Sequence, residues 1–303
     1  MKEANHITNL SFQLSKMSNI AIVTDSTAQF PNPTFLGKDL VRLIPLGIKI
    51  NKTIYSEGVG LKTNDFPLVA TETNNASLVI PSPAEIADQF NFLLSKFPKL
   101  LVIVNSSNLS TLFENSLKAV KLIQGETNIQ VIDSNTIATG LGMIVQSAAE
   151  FISNGATLTE VDRHVRQIIP HVYTLFCVPC MRYLYNIGVI EQSQAIIGEM
   201  LNLHPIFTLE DGYPQAICKV RNFRHAQDYF QEFIEEFDDL VHISLLKGTN
   251  TQGVDNRILK VFVQENFPET PFSEHRINPF LASIFGPKSM GLIVFERPYS
   301  LSG

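Results

Sequence analysis

Short apolar runs alternate with amphipathic stretches along the first half of the chain. Residues 19–24 (NIAIVT), 77–80 (SLVI), 100–104 (LLVIV) and 129–133 (IQVID) are compact and rich in β-branched residues. Each runs into Ser, Thr, Asn, Asp or Pro, as strands buried on both faces do. Residues 40–50 (LVRLIPLGIKI) read as one more strand with a proline step. Between the strands lie helices with readable starts. Ser82 is an N-cap, Pro83 the first helical residue and Glu85 the partner of a capping box, followed by Ile86, Phe90, Leu93, Leu94 and Phe97 at helical spacing. Thr111 with Glu114 opens a second helix that Gly125 closes, residues 139–155 form an apolar helix, and Thr157 with Glu160 opens another. Strands alternating with capped helices predict βαβ units and a largely parallel sheet.

The pattern changes near residue 170. Residues 198–222 predict a helix, a strand, a turn at Asp211–Gly212 and a return strand. An acidic amphipathic helix at 226–240, a strand at 241–248, a helix at 256–267 and a closing strand at 290–296 follow. The expected fold class is α/β: a parallel-sheet N-terminal domain over 19–167, and a second α/β domain with antiparallel content over 168–303. Residues 1–18 read as a polar extension without the apolar segment of a signal peptide.

Composition narrows the function classes. With 303 residues, 45% hydrophobic and only 17% charged, the chain has ample material for a core. A net charge of −6 argues against nucleic acid or an anionic membrane surface as partner. No apolar run reaches 18 residues, so integral membrane association is not expected and a cytoplasmic location is. Cys177, Cys180 and Cys218 do not form a disulfide framework, and the CVPC at 177–180, apolar on both sides, reads as two buried small hydrophobes.

Candidate chemistry collects at the strand exits: Asp25, Ser26 and Thr27; Ser82; Asn105 to Thr111; and Asp133 to Thr136. In an open parallel sheet such ends share one edge, where ligands bind and helix N-termini point their unpaired N–H groups. That edge suits an anionic or strongly polar group. The same residue types also cap helices and make turns with no ligand at all. There is no GxGxxG, no GxxxxGK[ST] and no GxSxG. The histidines at 6, 164, 171, 204, 225, 242 and 275 show no metal-ligand spacing and no evident serine partner; His204 and His242 read as satisfied core or edge histidines.

The segments IAIVTDSTAQFP, PSP (81–83), NSSNLST, VIDSNTIATGLG, MLNLHPIFTLEDG, KVRN and GPKSMGL occur in the order of the DegV family, and over residues 19–296 the chain resembles that family. The resemblance implies two α/β domains with a long-chain fatty acid between them, its carboxylate among hydroxyls and its tail in an apolar tunnel. It implies a carrier that is not itself an enzyme, needs no cofactor and serves a separate fatty-acid kinase. The head-group motifs diverge. Where the family has Thr-Ser-Gln-Pro-Ser the chain has Leu78 to Ser82, with Ser77 one position upstream as a substitute hydroxyl. Ser110 is kept, but the following Gly-Thr has become Thr111 and Leu112. The arginine of Gly-Gly-Arg-Ile is Val189, and the histidine of His-Thr-Gly-Pro-Gly is Ile284. The expected ligand contacts are therefore Ser107, Ser110 and Ser77, with Leu78 and Ile284 lining the altered head-group end. Arg221 and Lys288 are candidates for partner or ligand contact. The alternatives are a degenerate scaffold that binds no lipid, or a hydrolase or transferase using Asp25 or Asp133 as acid/base.

Overall fold

The computed structural model describes residues 19–125, 127–249 and 257–298; the polar extension at 1–18 lies outside them. The first half contains β1 (Ile20–Asp25), β2 (Val41–Ile44), β3 (Gly47–Ile50), β4 (Thr53–Tyr55), β5 (Ala76–Val79), α1 (Pro83–Leu94), β6 (Lys99–Val104), α2 (Leu112–Leu122), β7 (Asn128–Asp133), α3 (Ala138–Ser153) and α4 (Leu158–Ile168). The second half contains β8 (Val172–Cys177), α5 (Arg182–Asn186), α6 (Gln192–Met200), β9 (His204–Glu210), β10 (Tyr213–Val220), α7 (Phe223–Ile234), β11 (Leu240–Lys247), α8 (Arg257–Asn266), β12 (Phe272–Arg276), α9 (Pro279–Phe285) and β13 (Met290–Glu296).

Four strands form a wholly parallel sheet in the order β2-β1-β6-β7. Its apolar residues alternate between two cores. Ile20, Ile22, Leu101 and Ile103 face Leu141, Ile144, Val161 and Val165 of α3 and α4. Ala21, Val23, Leu100 and Val102 face Phe90, Leu93 and Ala119 of α1 and α2. Burial on both faces is why these strands read as continuous apolar runs. The capping boxes expected at Ser82/Glu85 and Thr157/Glu160 both form.

β8 to β13 form a six-stranded sheet in the order β10-β9-β8-β13-β11-β12, antiparallel except for β11 with β12. One face carries Ile243, Leu245, Leu292 and Val294 against Phe230 and Ile234 of α7 and Leu259 and Val263 of α8. The other presents Phe176, Leu246, Ile293 and Phe295 to the same core that α3 fills, so α3 lies between the two large sheets. A three-stranded antiparallel sheet, β4-β3-β5, is covered by α9.

Three expectations are corrected here. Residues 40–50 are not one strand: the chain breaks at Pro45, leaving β2 in the parallel sheet and β3 in the small antiparallel one. β5 belongs to that small sheet too, so Ser82 is not an exit of the parallel edge and serves as a helix cap. Thr111 makes no capping bond. The hydroxyl of Ser110 accepts from the Leu112 backbone N–H instead, at 3.3 Å.

Candidate functional site

From β1 the chain moves to β2 on one side, then returns through β6 on the other, so strand order reverses between β1 and β6. Ligands in open α/β sheets bind at such a switch point, beyond the carboxyl ends of the strands. Here that point is closed by Asp25. One carboxylate oxygen accepts from the Thr27 N–H at 2.9 Å and the Thr27 hydroxyl at 2.6 Å, and the other accepts from the Asn105 N–H at 2.8 Å. Asp25 is fully buried, and burial pushes its carboxyl above the ordinary value although these hydrogen bonds pull it back. Asp133, at the end of β7, is engaged in the same way: it accepts from the N–H groups of Ser107 at 3.1 Å and Asn135 at 2.9 Å. Both carboxylates hold backbone in place, and the one hydroxyl set against Asp25, that of Thr27, is fully buried with it.

The residues 105–110 divide their work. Asn105 is fully buried; its Oδ1 accepts from the Ser110 hydroxyl at 2.7 Å, while its Nδ2 faces the Asp25 carboxylate without completing a well-formed hydrogen bond. The buried Thr24 hydroxyl is unpartnered. A buried donor left unpaired costs about 1–3 kcal/mol, a penalty that an arriving acceptor relieves. Ser106 donates to the Gly212 carbonyl at 2.7 Å, joining this edge to the β9–β10 hairpin. Ser107 gives its N–H to Asp133, and its half-buried hydroxyl makes no hydrogen bond to a described residue.

An apolar wall stands beside these groups. Asn115 of α2 donates to the Pro81 carbonyl at 2.9 Å, bringing the turn after β5 against the start of α2. Leu78 pairs with Ile48 across β5 and β3 and packs into both cores of the parallel-sheet half. Ser77 lies opposite Lys49. Ile284 and Phe285 of α9 are buried, and the Phe285 ring stacks on Phe176 with centroids 3.9 Å apart. Asn278, which caps α9, donates to the Ser26 carbonyl at 3.4 Å and seats that helix beside the end of β1.

The structure does not gather all the candidate residues. Ser107 and Ser110 sit at the switch edge, with Leu78 and Ile284 in the adjoining core. Arg221 is exposed just past β10, whose last residue pairs with His204 at the start of β9. Seven-residue β9 thus separates His204 and Arg221 from the Gly212 turn by roughly 20 Å. Lys288 lines a pocket with His204 at that far end.

Sequence spacing also concealed several contacts. His242 and Ser273 lie 2.8 Å apart and His164 and Ser147 2.7 Å apart, so serine partners exist for both histidines. Only strand pairing and helix packing bring those residues together. His204 is not satisfied as expected, because its Nδ1 is buried without a partner. The thiols of Cys177 and Cys180 are buried and held above the ordinary cysteine value by that burial, as small hydrophobes would be. Among the described residues no cluster of His, Cys, Asp or Glu is placed to hold a metal ion, and no helix is long and apolar enough to cross a membrane.

An open parallel sheet with a polar switch-point edge, joined through α3 to a mainly antiparallel second sheet, defines a class of two-sheet α/β proteins with a buried apolar junction. Within that class the chain belongs to the DegV family: the model of this family, described as one of uncharacterised proteins, matches residues 19–297. A DegV domain-containing protein of Caldanaerobacter subterraneus subsp. tengcongensis is 31% identical over 294 residues, covering 93% of this chain and all of that protein. Among solved structures, the fatty-acid-binding DegV family protein of Thermus thermophilus matches with a TM-score of 0.76 at 22% identity, covering 92% of this chain and 99% of that one. The Fatty Acid Kinase (Fak) B3 protein of Streptococcus pneumoniae, loaded with linoleic acid, matches with a TM-score of 0.76 at 16% identity and the same coverage.

Proposed function

We propose that this protein binds a long-chain fatty acid or similar lipid between two domains, residues 19–167 and 168–303, and acts as a carrier in the cytoplasm rather than as an enzyme. One observation carries the reading: the Ser107 hydroxyl at the switch edge is unengaged, and the flanking Ile103 and Leu109 belong to the same apolar core as Leu78 and Ile284. An acyl tail gains about 0.8 kcal/mol for each CH₂ it buries, so an apolar slot supplies most of the affinity. The head group must then be hydrogen-bonded, which Ser107 and Ser110 are placed to do, with Ser77 as a third hydroxyl. The relatives whose solved structures carry fatty acids support the ligand class, and the kinase named for the Streptococcus protein supports a kinase as recipient. Arg221, exposed past β10, would then serve contact with that partner.

A second reading has its own observation. Ile284 and Phe285 are buried and Phe285 is stacked on Phe176, so protein side chains occupy part of the junction. On that reading the chain is a scaffold without ligand. Native mass spectrometry of freshly purified protein, followed by lipid extraction, decides between them. A co-purifying long-chain acid supports the carrier. A ligand-free mass that stays unshifted after incubation with oleate leaves the scaffold.

A further inference from the structure

The end of β9 and the Asp211–Gly212 turn border a cleft of about 320 Å³, whose walls include Tyr173, Phe233, Leu209, Glu210 and Asp211. Its size lies at the small end of the ordinary range for ligand sites, about 300–1,000 Å³. Two of the walls are aromatic, and other rings hold them in place. Tyr173 of β8 lies 4.8 Å from Phe237 and 6.4 Å from Phe233 between centroids, and Phe233 and Phe237 meet edge to face at 5.2 Å. The cluster fixes β8 against the end of α7, so the rings are in position before a ligand arrives.

The charge around these rings has one sign. No Lys, Arg or His lines the cleft. Glu296, behind Tyr173, is already engaged: its Oε2 accepts from the Tyr173 hydroxyl at 3.1 Å and lies 3.4 Å from His171 Nδ1. Glu210 and Asp211 are exposed, and neither carboxylate makes an ion pair or a hydrogen bond to a described residue. Exposed carboxylates alone would only be hydrated. Two of them at the rim of a cleft with prepositioned aromatic walls are complementary to an organic cation. A guanidinium fits better than an ammonium, because it is flat, weakly hydrated and forks to carboxylates while stacking on rings. We propose that this cleft binds a guanidinium cation, its plane against Tyr173 and Phe233 and its N–H groups donating to Glu210 and Asp211. The cleft shares no residue with the acyl site proposed at the switch edge, so each stands or falls without the other.

The test follows the Tyr173 ring by NMR while ethylguanidinium or ethylurea, its neutral counterpart of the same shape, is added to the full chain. Ethylguanidinium should shift the Tyr173 resonances saturably, and ethylurea should bind about tenfold more weakly or not at all. The paired substitution Glu210→Gln with Asp211→Asn should weaken ethylguanidinium about tenfold. It keeps the turn, since Asn tolerates the φ of +48° that Asp211 adopts. A short neutral peptide carrying one arginine separates two sources of the same cation: tighter binding than ethylguanidinium points to an arginine of a partner protein, equal binding to a free small molecule. Ethylurea bound as tightly as ethylguanidinium, or unchanged ethylguanidinium affinity in the paired variant, overturns the proposal. The ethylurea comparison needs only the unmodified protein, so it remains decisive if a variant misfolds.

Discussion

The Ser106 hydroxyl donates a 2.7 Å hydrogen bond to the Gly212 carbonyl, fastening the end of β6 to the hairpin turn of the other large sheet. The turn allows this approach because Gly212 takes φ +78°, following Asp211 at φ +48°. A Cβ on Gly212 would lie 2.7 Å from Ser106 Oγ and 3.0 Å from the Asn135 backbone. Gly212→Ala should therefore cost about 2–3 kcal/mol through left-handed strain and displacement of this contact. Ser106→Ala should cost only about 1 kcal/mol, the net worth of one hydrogen bond. Urea unfolding midpoints check both, and equal losses would show that the turn tolerates a side chain.

Asp25 gives a pH-dependent prediction. Its carboxyl is raised from the ordinary value of 3.8, chiefly by burial. A raised acid holds its proton more tightly folded than unfolded, so its contribution is full below the unfolded value and is lost as pH rises through the folded one. Asp25→Asn should remove that dependence, and the stability of wild type relative to the variant should fall as pH rises above about 4 and then level off. Asp25→Ala is a different matter: it strands the N–H groups of Thr27 and Asn105 and should cost about 3 kcal/mol or more at any pH. A wild-type advantage that instead grows with pH would mean that the hydrogen bonds outweigh burial.

What the sequence disclosed was local. Capping boxes join residues three apart, so Ser82/Glu85 and Thr157/Glu160 could be read directly, and Asp211–Gly212 announced its turn by composition. Pro45 was visible as a step in the 40–50 segment, but only sheet pairing determines that β2 and β3 part into different sheets. The serine edge was legible in part because Asn105 and Ser107 follow a strand. The strained position of the Asn105 Nδ2 was not, since it depends on where Asp25 and Ser110 spend their hydrogen bonds. The pocket at Lys288 joins residues from 68 to 288 and leaves no local signature.

His242 predicts the opposite pH behaviour from Asp25. Its Nε2 is 2.8 Å from the Ser273 hydroxyl, which also lies 3.1 Å from His275 Nε2. Burial, and then His275, lower the His242 value from 6.5 to about 4. The unfolded chain thus binds a proton at higher pH than the folded one, and stability present above pH 6.5 is lost as pH falls toward 4. The Lys247–Glu274 ion pair belongs to the same two strands, but Glu274 alternates to the face away from Ser273. His242→Gln should flatten the decline between pH 6.5 and 4. Unfolding midpoints in that range that fall equally in wild type and variant would assign the acid sensitivity elsewhere.

Ser107 and Ser110 together test whether the turn after β6 serves helix capping, ligand binding or both. The Ser110 hydroxyl accepts from Leu112 N–H at 3.3 Å and donates to Asn105 Oδ1 at 2.7 Å, so Ser110→Ala removes a cap and a half-buried hydrogen bond. It should cost about 1–2 kcal/mol of stability. The Ser107 hydroxyl bonds to no described residue, so Ser107→Ala should change stability by no more than about 0.5 kcal/mol. If that hydroxyl meets a ligand head group, the same substitution should weaken oleate binding by about three- to tenfold, the worth of one hydrogen bond of about 1 kcal/mol. Affinity lost without stability lost is the signature of a ligand contact. Oleate bound equally well by Ser107→Ala, with Ser110→Ala altering only stability, would reduce the turn to a helix cap.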